Sequence, residues 1–211
     1  MKNNTIYIIS KGRPQCKTAQ TFTKLKYPGE WFIVCGSNDE SLVEYKRLWG
    51  DKVLVFDYDE QIKQTDTLDN FGFESKASGA CPVRNAVRSI SKSRSETRHW
   101  QFDDDYNSFH LFDKKKRTNR IIRDGAVLYK VICDLSDFAE KANLCNLGFS
   151  LTGPDSMPDS ISHVAMRVFN AHNQSNNDFV EWKGRLNDDL IHSFFVLKER
   201  PQMAVRFLQL K

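Results

Sequence analysis

From Thr5 onward, short apolar runs rich in β-branched residues alternate with segments whose apolar residues recur every three or four positions. That alternation constrains the fold more than any other feature of the chain. Thr5–Ile9 reads as a first strand and stops at Ser10-Lys11-Gly12-Arg13-Pro14, where glycine and proline supply turn chemistry. Cys16, Ala19, Phe22 and Leu25 follow at helical spacing. Trp31–Val34 is a second strand, closed by Cys35-Gly36-Ser37-Asn38-Asp39; Asn38 or Asp39 can cap a helix with Leu42, Tyr45 and Trp49 inward. Lys52–Phe56 is a third strand and residues 59–79 read as polar loop. Pro82 suits the first turn of a helix whose buried stripe is Val83, Val87 and Ile90, and His99-Trp100-Gln101-Phe102 is the fourth strand. The succession predicts an α/β layered sheet, mostly parallel, with helices on both faces and right-handed crossovers.

The second half is less regular. Lys114-Lys115-Lys116-Arg117 is a basic run in a hairpin-like stretch. Residues 126–143 form an amphipathic helix with Leu128, Val131, Ile132, Leu135, Phe138 and Ala142 on one face. Residues 147–163 read as loop, Val164–Asn170 and Asp178–Trp182 as strands. A helix from Asn187 is expected to turn Leu190, Ile191, Phe194 and Leu197 inward. Met203–Leu210 is a terminal apolar strand with nothing after it to cover it, so the expectation is a domain cut short at its C-terminus.

Three acids, Asp103-Asp104-Asp105, directly follow the fourth strand. On an extended backbone alternate side chains share a face, so Asp103 and Asp105 can point together while Asp104 points away. Negative charge held at the end of a buried strand is costly unless a cation compensates it. Mg²⁺ or Mn²⁺ does so cheaply, because these ions take a few carboxylate oxygens together with the oxygens of a bound phosphate. A solvated acidic loop or a helix cap is the plainer alternative. In sheets of this class ligands sit at the carboxyl ends of the strands, the end occupied by the loops at 10–14, 35–39 and 103–105.

Other candidates cluster around these loops. Arg84 and Asn85 lie in the first turn of the helix before the fourth strand, where free N–H groups and partial positive charge suit a pyrophosphate. Gly79 and Ala80 just before it let the backbone approach closely. Ser10, Lys11, Gly12 and Arg13 form a small-residue turn with two cations, fit for a phosphate or a base edge. The chain has neither P-loop spacing nor G-x-G-x-x-G, which argues against a nicotinamide or flavin domain. Asp188 and Asp189 stabilise a helix start electrostatically and are also candidates for a base or an acceptor-positioning group. His192, one turn on, is either a metal ligand or a core histidine; His110, His163 and His172 do not stand out. Five cysteines without C-x-x-C spacing indicate neither a zinc site nor a disulfide framework, which favours a reduced, cytoplasmic compartment. Cys81 reads as a packing thiol. No run approaches transmembrane length, and a net charge of +4 permits a polyanionic partner without requiring one.

Taken together, these residues resemble the nucleotide-sugar-dependent glycosyltransferases of the GT-A fold. The resemblance rests on the first strand with its polar loop, Ile6 to Pro14; on the helix start Pro82-Val83-Arg84-Asn85-Ala86; and on Trp100-Gln101-Phe102 closing on Asp103-Asp104-Asp105, a D-x-D pattern. It implies one domain over 1–211, with a donor half at 1–110 and an acceptor half at 111–211. It implies Mn²⁺ or Mg²⁺ on Asp103 and Asp105, with His192 as a candidate third ligand. A UDP- or GDP-linked sugar would be held by Ser10, Lys11, Arg13, Gly36, Arg84, Asn85, Asp103 and Asp104, and the acceptor hydroxyl would be served by Asp188 or Asp189. Within that fold the chain looks like the phage-type TET/JBP-associated enzymes that glycosylate hydroxymethylated pyrimidines in DNA. Trp182-Lys183-Gly184-Arg185-Leu186-Asn187-Asp188-Asp189 is similar to their acceptor-side segment. A DNA acceptor agrees with the run 114–117 and with Arg120 and Arg123 after it, and a paired base would have to be flipped out to react. A sugar-phosphate nucleotidyltransferase would share the acids and the helix start, and a non-catalytic DNA-binding protein is the rival from outside enzymes.

Overall fold

The computed structural model describes residues 4–69, 80–113, 115–116, 118–149, 162–164, 168–205 and 208–210. Its centre is β1 (Ile6–Ile9), whose four residues are all buried, as expected of a parallel strand covered on both faces. β1 pairs in parallel with β2 (Trp31–Gly36) on one side and with β4 (Arg98–Asp103) on the other; β2 pairs in parallel with β3 (Val53–Phe56). Beyond β4 lie β9 (Phe169–Ser175), β7 (Asn146–Phe149), β10 (Gln202–Val205) and β8 (Ser162–Val164), completing an eight-stranded sheet in the order β3-β2-β1-β4-β9-β7-β10-β8. β9 runs against β4 and β7, and β8 against β10, so the sheet is mixed but mostly parallel. A second sheet joins β5 (Phe109–Asp113) to β6 (Thr118–Ile121) and β11 (Leu208–Leu210).

Strand alternation divides the core. Ile6 and Ile8 pack with α1 (Lys17–Leu25), α2 (Leu42–Trp49) and α5 (Gly125–Lys141) through Phe22, Tyr45, Leu128 and Ile132. Tyr7 and Ile9 face the opposite way, onto Ala86 and Val87 of α4 (Cys81–Ser93). On β4, Trp100 and Phe102 join the first layer, where Trp100 stacks on Phe149 at 5.2 Å. Each such ring removed from water contributes about 1.5–3 kcal/mol. His99, Gln101 and Asp103 therefore face the α4 side.

Several expectations need correction. Tyr58–Gln64 is a helix, α3, inside the stretch read as loop; Asp57 caps it by accepting from Glu60 N at 3.0 Å, but none of its residues is buried, so no apolar period announced it. The last ten residues of that stretch, 70–79, lie outside the described residues. β7 and β8 fall in the expected loop 147–163, of which 150–161 lies outside the described residues. The later strand runs over 169–175 rather than 164–170, and residues 178–182 are irregular. α6 (Asp188–Glu199) docks through His192, Ser193 and Val196, leaving Leu190, Phe194 and Leu197 exposed. The strand beneath it presents His172 and Gln174, and a polar surface takes the polar side of the helix. The terminal apolar run divides into β10 and β11, paired in different sheets.

Candidate active site

The chain leaves β1 for β2 and β3 on one side and returns to β4 on the other, so the sheet's switch point lies between β1 and β4. A crevice at the carboxyl ends of such strands is where α/β sheets bind ligands. Here it is a cavity of about 400 Å³. One wall is the loop after β1, with Ser10, Lys11 and Arg13; another is Gly36, Asn38 and Asp39 with Tyr58 of α3; a third is Ala80, Pro82 and Val83 at the start of α4. Asp103, Asp104 and Asp105 close the ring.

The backbone of the acid triplet is pinned by the start of α1. Thr18 Oγ1 donates to Asp103 O at 2.6 Å, Thr18 N to Asp104 O at 3.2 Å, and Tyr106 N to Thr18 Oγ1 at 3.0 Å. The buried Asp104 carboxylate takes the Ser10 hydroxyl and, at 2.8 Å, Arg13 Nη1. Burial pushes its pKa up, while Ser10 and Arg13 pull it back. Tyr45 OH braces the same loop, meeting Ser10 Oγ at 2.6 Å and accepting from Arg13 N at 2.9 Å. Across the cavity Asp39 accepts from Gly12 N and from Ser41 N, both at 2.8 Å, tying the two loops together. Gly12 holds a φ of +65°, and a Cβ on Gly36 would come within 2.9 Å of Asn38 Oδ1 and 3.2 Å of Tyr58. The backbone at Gly12 favours glycine, while a side chain at Gly36 would push Asn38 and Tyr58 aside.

Asp103 faces away from Asp104, toward Arg84. The Arg84 guanidinium is 3% exposed and meets three carboxylates: Asp188 Oδ2 at 3.0 Å from Nε, and Asp103 Oδ1 at 3.2 Å and Asp189 Oδ1 at 3.5 Å from Nη2. It lies 4.4 Å from the centre of the Trp182 ring. Burial opposes its charge, but Asp103, Asp189 and Asp188 outweigh that and raise its pKa. One cation does not neutralise three anions. Burial, with Asp189, Asp188 and Asp105 adding repulsion against the pull of Arg84, lifts the Asp103 carboxyl to about 7. Asp105 is 59% exposed, with Arg13 Nη1 4.0 Å away.

The sequence-derived candidates thus separate into two groups. Ser10, Lys11, Arg13 and Gly36 come together with Asp103, Asp104 and Asp105 around the cavity. Asp188 and Asp189 connect to it through Arg84. Arg84 does not line the cavity as expected, because the acids of β4 and α6 occupy it from within. Asn85 is turned away too: its Nδ2 donates to Trp182 O and its Oδ1 accepts from Trp182 N, both at 2.9 Å, strapping residues around 182 to α4. His192 is a core histidine here, stacked 3.7 Å from the Trp182 ring and bonded to Gln174 at 2.8 Å; burial drives its pKa well down. Among the described residues no three His, Cys, Asp or Glu side chains are already grouped as metal ligands. Sequence reading passed over His172, which is buried and bonded to Asp189 at 3.1 Å. A signal existed in the polar residues His172 and Gln174 alternating along one face of a strand.

A family model described as TET-associated glycosyltransferase matches residues 4–205. The chain belongs to that family. The expected family relationship is borne out, and the family is one of glycosyltransferases. Among solved structures, the crystal structure of S. aureus TarS 1-349 aligns with 99% of this chain at 14% identity and a TM-score of 0.49. The chain covers 60% of that one. No curated protein matches by sequence. No helix among the described residues is long and apolar enough to cross a membrane.

Proposed function

We propose that this glycosyltransferase takes a UDP- or GDP-linked sugar in the cavity at the switch point and transfers the sugar to a hydroxymethylated pyrimidine of DNA, with Mn²⁺ or Mg²⁺ held by Asp103 and Asp105. The observation that carries the reading is the composition of the cavity wall. Its volume of about 400 Å³ lies within the ordinary range for small-molecule sites. Tyr58 offers a ring edge or face to a nucleobase, and Lys11 and Arg13 offer cations to phosphates.

The donor set fits a divalent ion. Burial, reinforced by the neighbouring carboxylates, raises the Asp103 carboxyl to about 7, and Asp105 has only a distant arginine for compensation. Hard oxygen ligands of this kind, completed by phosphate oxygens, suit Mg²⁺ or Mn²⁺. When bound, the ion supplies the positive charge that a departing diphosphate requires. On the other side of Arg84, Asp188 or Asp189 takes the acceptor hydroxyl's proton.

The acceptor is inferred from cations as well as from the family. Lys115, Lys116, Arg120 and Arg123 are exposed along and after the β5–β6 hairpin, while Lys114 and Arg117 of the expected run lie outside the described residues. Phosphate contacts by such side chains make binding steeply salt-dependent.

A thermal-shift panel tests the reading. UDP and GDP, each with and without Mn²⁺, are expected to give stabilisation by one nucleotide only when the ion is present, and Asp105→Ala is expected to abolish it. Equal shifts with and without Mn²⁺, or full retention in Asp105→Ala, refute the metal assignment. Absence of any nucleotide shift in the native protein refutes the donor site.

A further inference from the structure

His172 sits on β9, fully buried, with the edge of its ring against Trp182 at 4.7 Å. Both of its nitrogens are engaged. Asn146 Nδ2, from the neighbouring strand β7, lies 3.2 Å from His172 Nδ1 and 2.8 Å from Gln202 Oε1. Gln202 Oε1 accepts from that Asn146 nitrogen, which is therefore an N–H donor in this arrangement. An amide N–H can only donate, so His172 Nδ1 is an acceptor and the ring's single proton sits on Nε2. That proton points at Asp189 Oδ1, 3.1 Å away. The same oxygen accepts from Arg84 Nη2 at 3.5 Å. A chain of donors thus runs from Asn146 through His172 to Asp189.

The two acids at the start of α6 consequently differ. Asp189 is held by a histidine from the sheet and an arginine from α4, with His192 of its own helix packed near that histidine at 6.0 Å between ring centres. Asp188 is held through one oxygen: Arg84 Nε donates to its Oδ2, and among the described residues no other side chain bonds to its carboxylate, which leaves Oδ1 for another group.

We propose that His172 is a positioning residue for sugar transfer: neutral and protonated on Nε2, it locks Asp189 against Arg84, and the locked pair orients Asp188 as the carboxylate that receives the acceptor proton. This rests on the transfer reaction proposed above. In that step the acceptor oxygen bonds to the anomeric carbon, the bond from that carbon to the diphosphate oxygen breaks with its electrons, and the hydroxyl proton passes to Asp188 Oδ1. Asp189 stays bonded to His172 and Arg84 throughout.

The test compares His172→Gln, His172→Leu and Asp188→Asn with the native enzyme. The probes are UDP-glucose and GDP-mannose, a 5-hydroxymethylcytosine oligonucleotide and Mn²⁺. The side-chain amide introduced by His172→Gln can reach Asp189 as Nε2 does, whereas leucine cannot. His172→Leu is expected to lower kcat by about 100-fold, the scale of a displaced catalytic group, with KM for the donor nearly unchanged. His172→Gln is expected to recover most of the rate, and Asp188→Asn to lose at least as much as His172→Leu. ¹⁵N NMR of labelled histidine at pH 7 is expected to report the Nε2–H tautomer at His172 and to lose it on Asn146→Leu. An Nδ1–H or doubly protonated ring overturns the proposal, as does a His172→Leu enzyme with native kcat or a His172→Gln enzyme no better than it at equal Tm. A native protein that releases no nucleotide from any donor sinks the proposed function instead, and the tautomer measurement still judges His172.

Discussion

Replacing Arg84 by methionine keeps much of the side-chain volume and removes the guanidinium shared by Asp103, Asp188 and Asp189. At an effective dielectric of about 20, contacts of 3.0–3.5 Å correspond to roughly 5 kcal/mol of Coulomb attraction each, before desolvation is subtracted. Measured losses on breaking buried pairs are about 3–5 kcal/mol, and Arg84→Met is expected to fall there at pH 8. For a chain of this size that corresponds to a Tm lower by roughly 6–20 °C. The loss should depend on pH in a defined direction. Asp103 titrates near 7 in the folded protein and near 3.9 when unfolded, so between those values the folded state holds an extra proton and stability falls as pH rises. Without Arg84 the native Asp103 carboxyl is raised further, extending that fall to higher pH. Urea unfolding followed by circular dichroism at pH 5 and pH 8 should show the smaller cost at pH 5. A cost under about 1 kcal/mol at pH 8, or one equal at both, refutes the claim that this arginine restrains three charges.

Asp103→Asn removes the group with the raised pKa and should flatten the decline in stability between pH 4 and 7, read from the same unfolding curves. Asp105→Asn, at an exposed position, should change stability by less than about 0.5 kcal/mol while abolishing Mn²⁺-dependent nucleotide binding in calorimetry. Asn85→Ala leaves the N–H and C=O of Trp182 without their partners and should cost about 1–3 kcal/mol, with faster amide exchange at 182. Gly148→Ala would bring a Cβ within 1.9 Å of Val168 Cγ1 and 2.3 Å of Ala171 O, and should cost at least about 1–3 kcal/mol because backbone must move.

The half of the sheet around β1 was readable in the sequence because β1 and most of β2 are buried and the loops at their carboxyl ends follow them directly. Ile6–Ile9 and Trp31–Gly36 are uninterrupted apolar runs, and the acids after Phe102 mark the strand end unmistakably. The surroundings of β9 and α6 were not, because they bury polar residues against one another. α6 exposes Phe194 and buries His192, inverting the usual reading of a helix stripe, since its docking surface on β9 is itself polar. Arg84 stands in the first turn of α4, yet its environment depends on Asp188 and Asp189, more than a hundred residues later. No local pattern records that convergence. Asn85 and His172 share the difficulty: their partners, Trp182 and Asn146, are distant in sequence.

The outward stripe of Leu190, Phe194 and Leu197 has a practical bearing on the purified protein. With Phe194 65% exposed, this greasy ridge is expected to make the molecules attract one another in concentrated solution, and light scattering should register a net attraction that Phe194→Glu abolishes. Because the ridge points away from the carboxylates, its removal should improve handling and leave turnover intact.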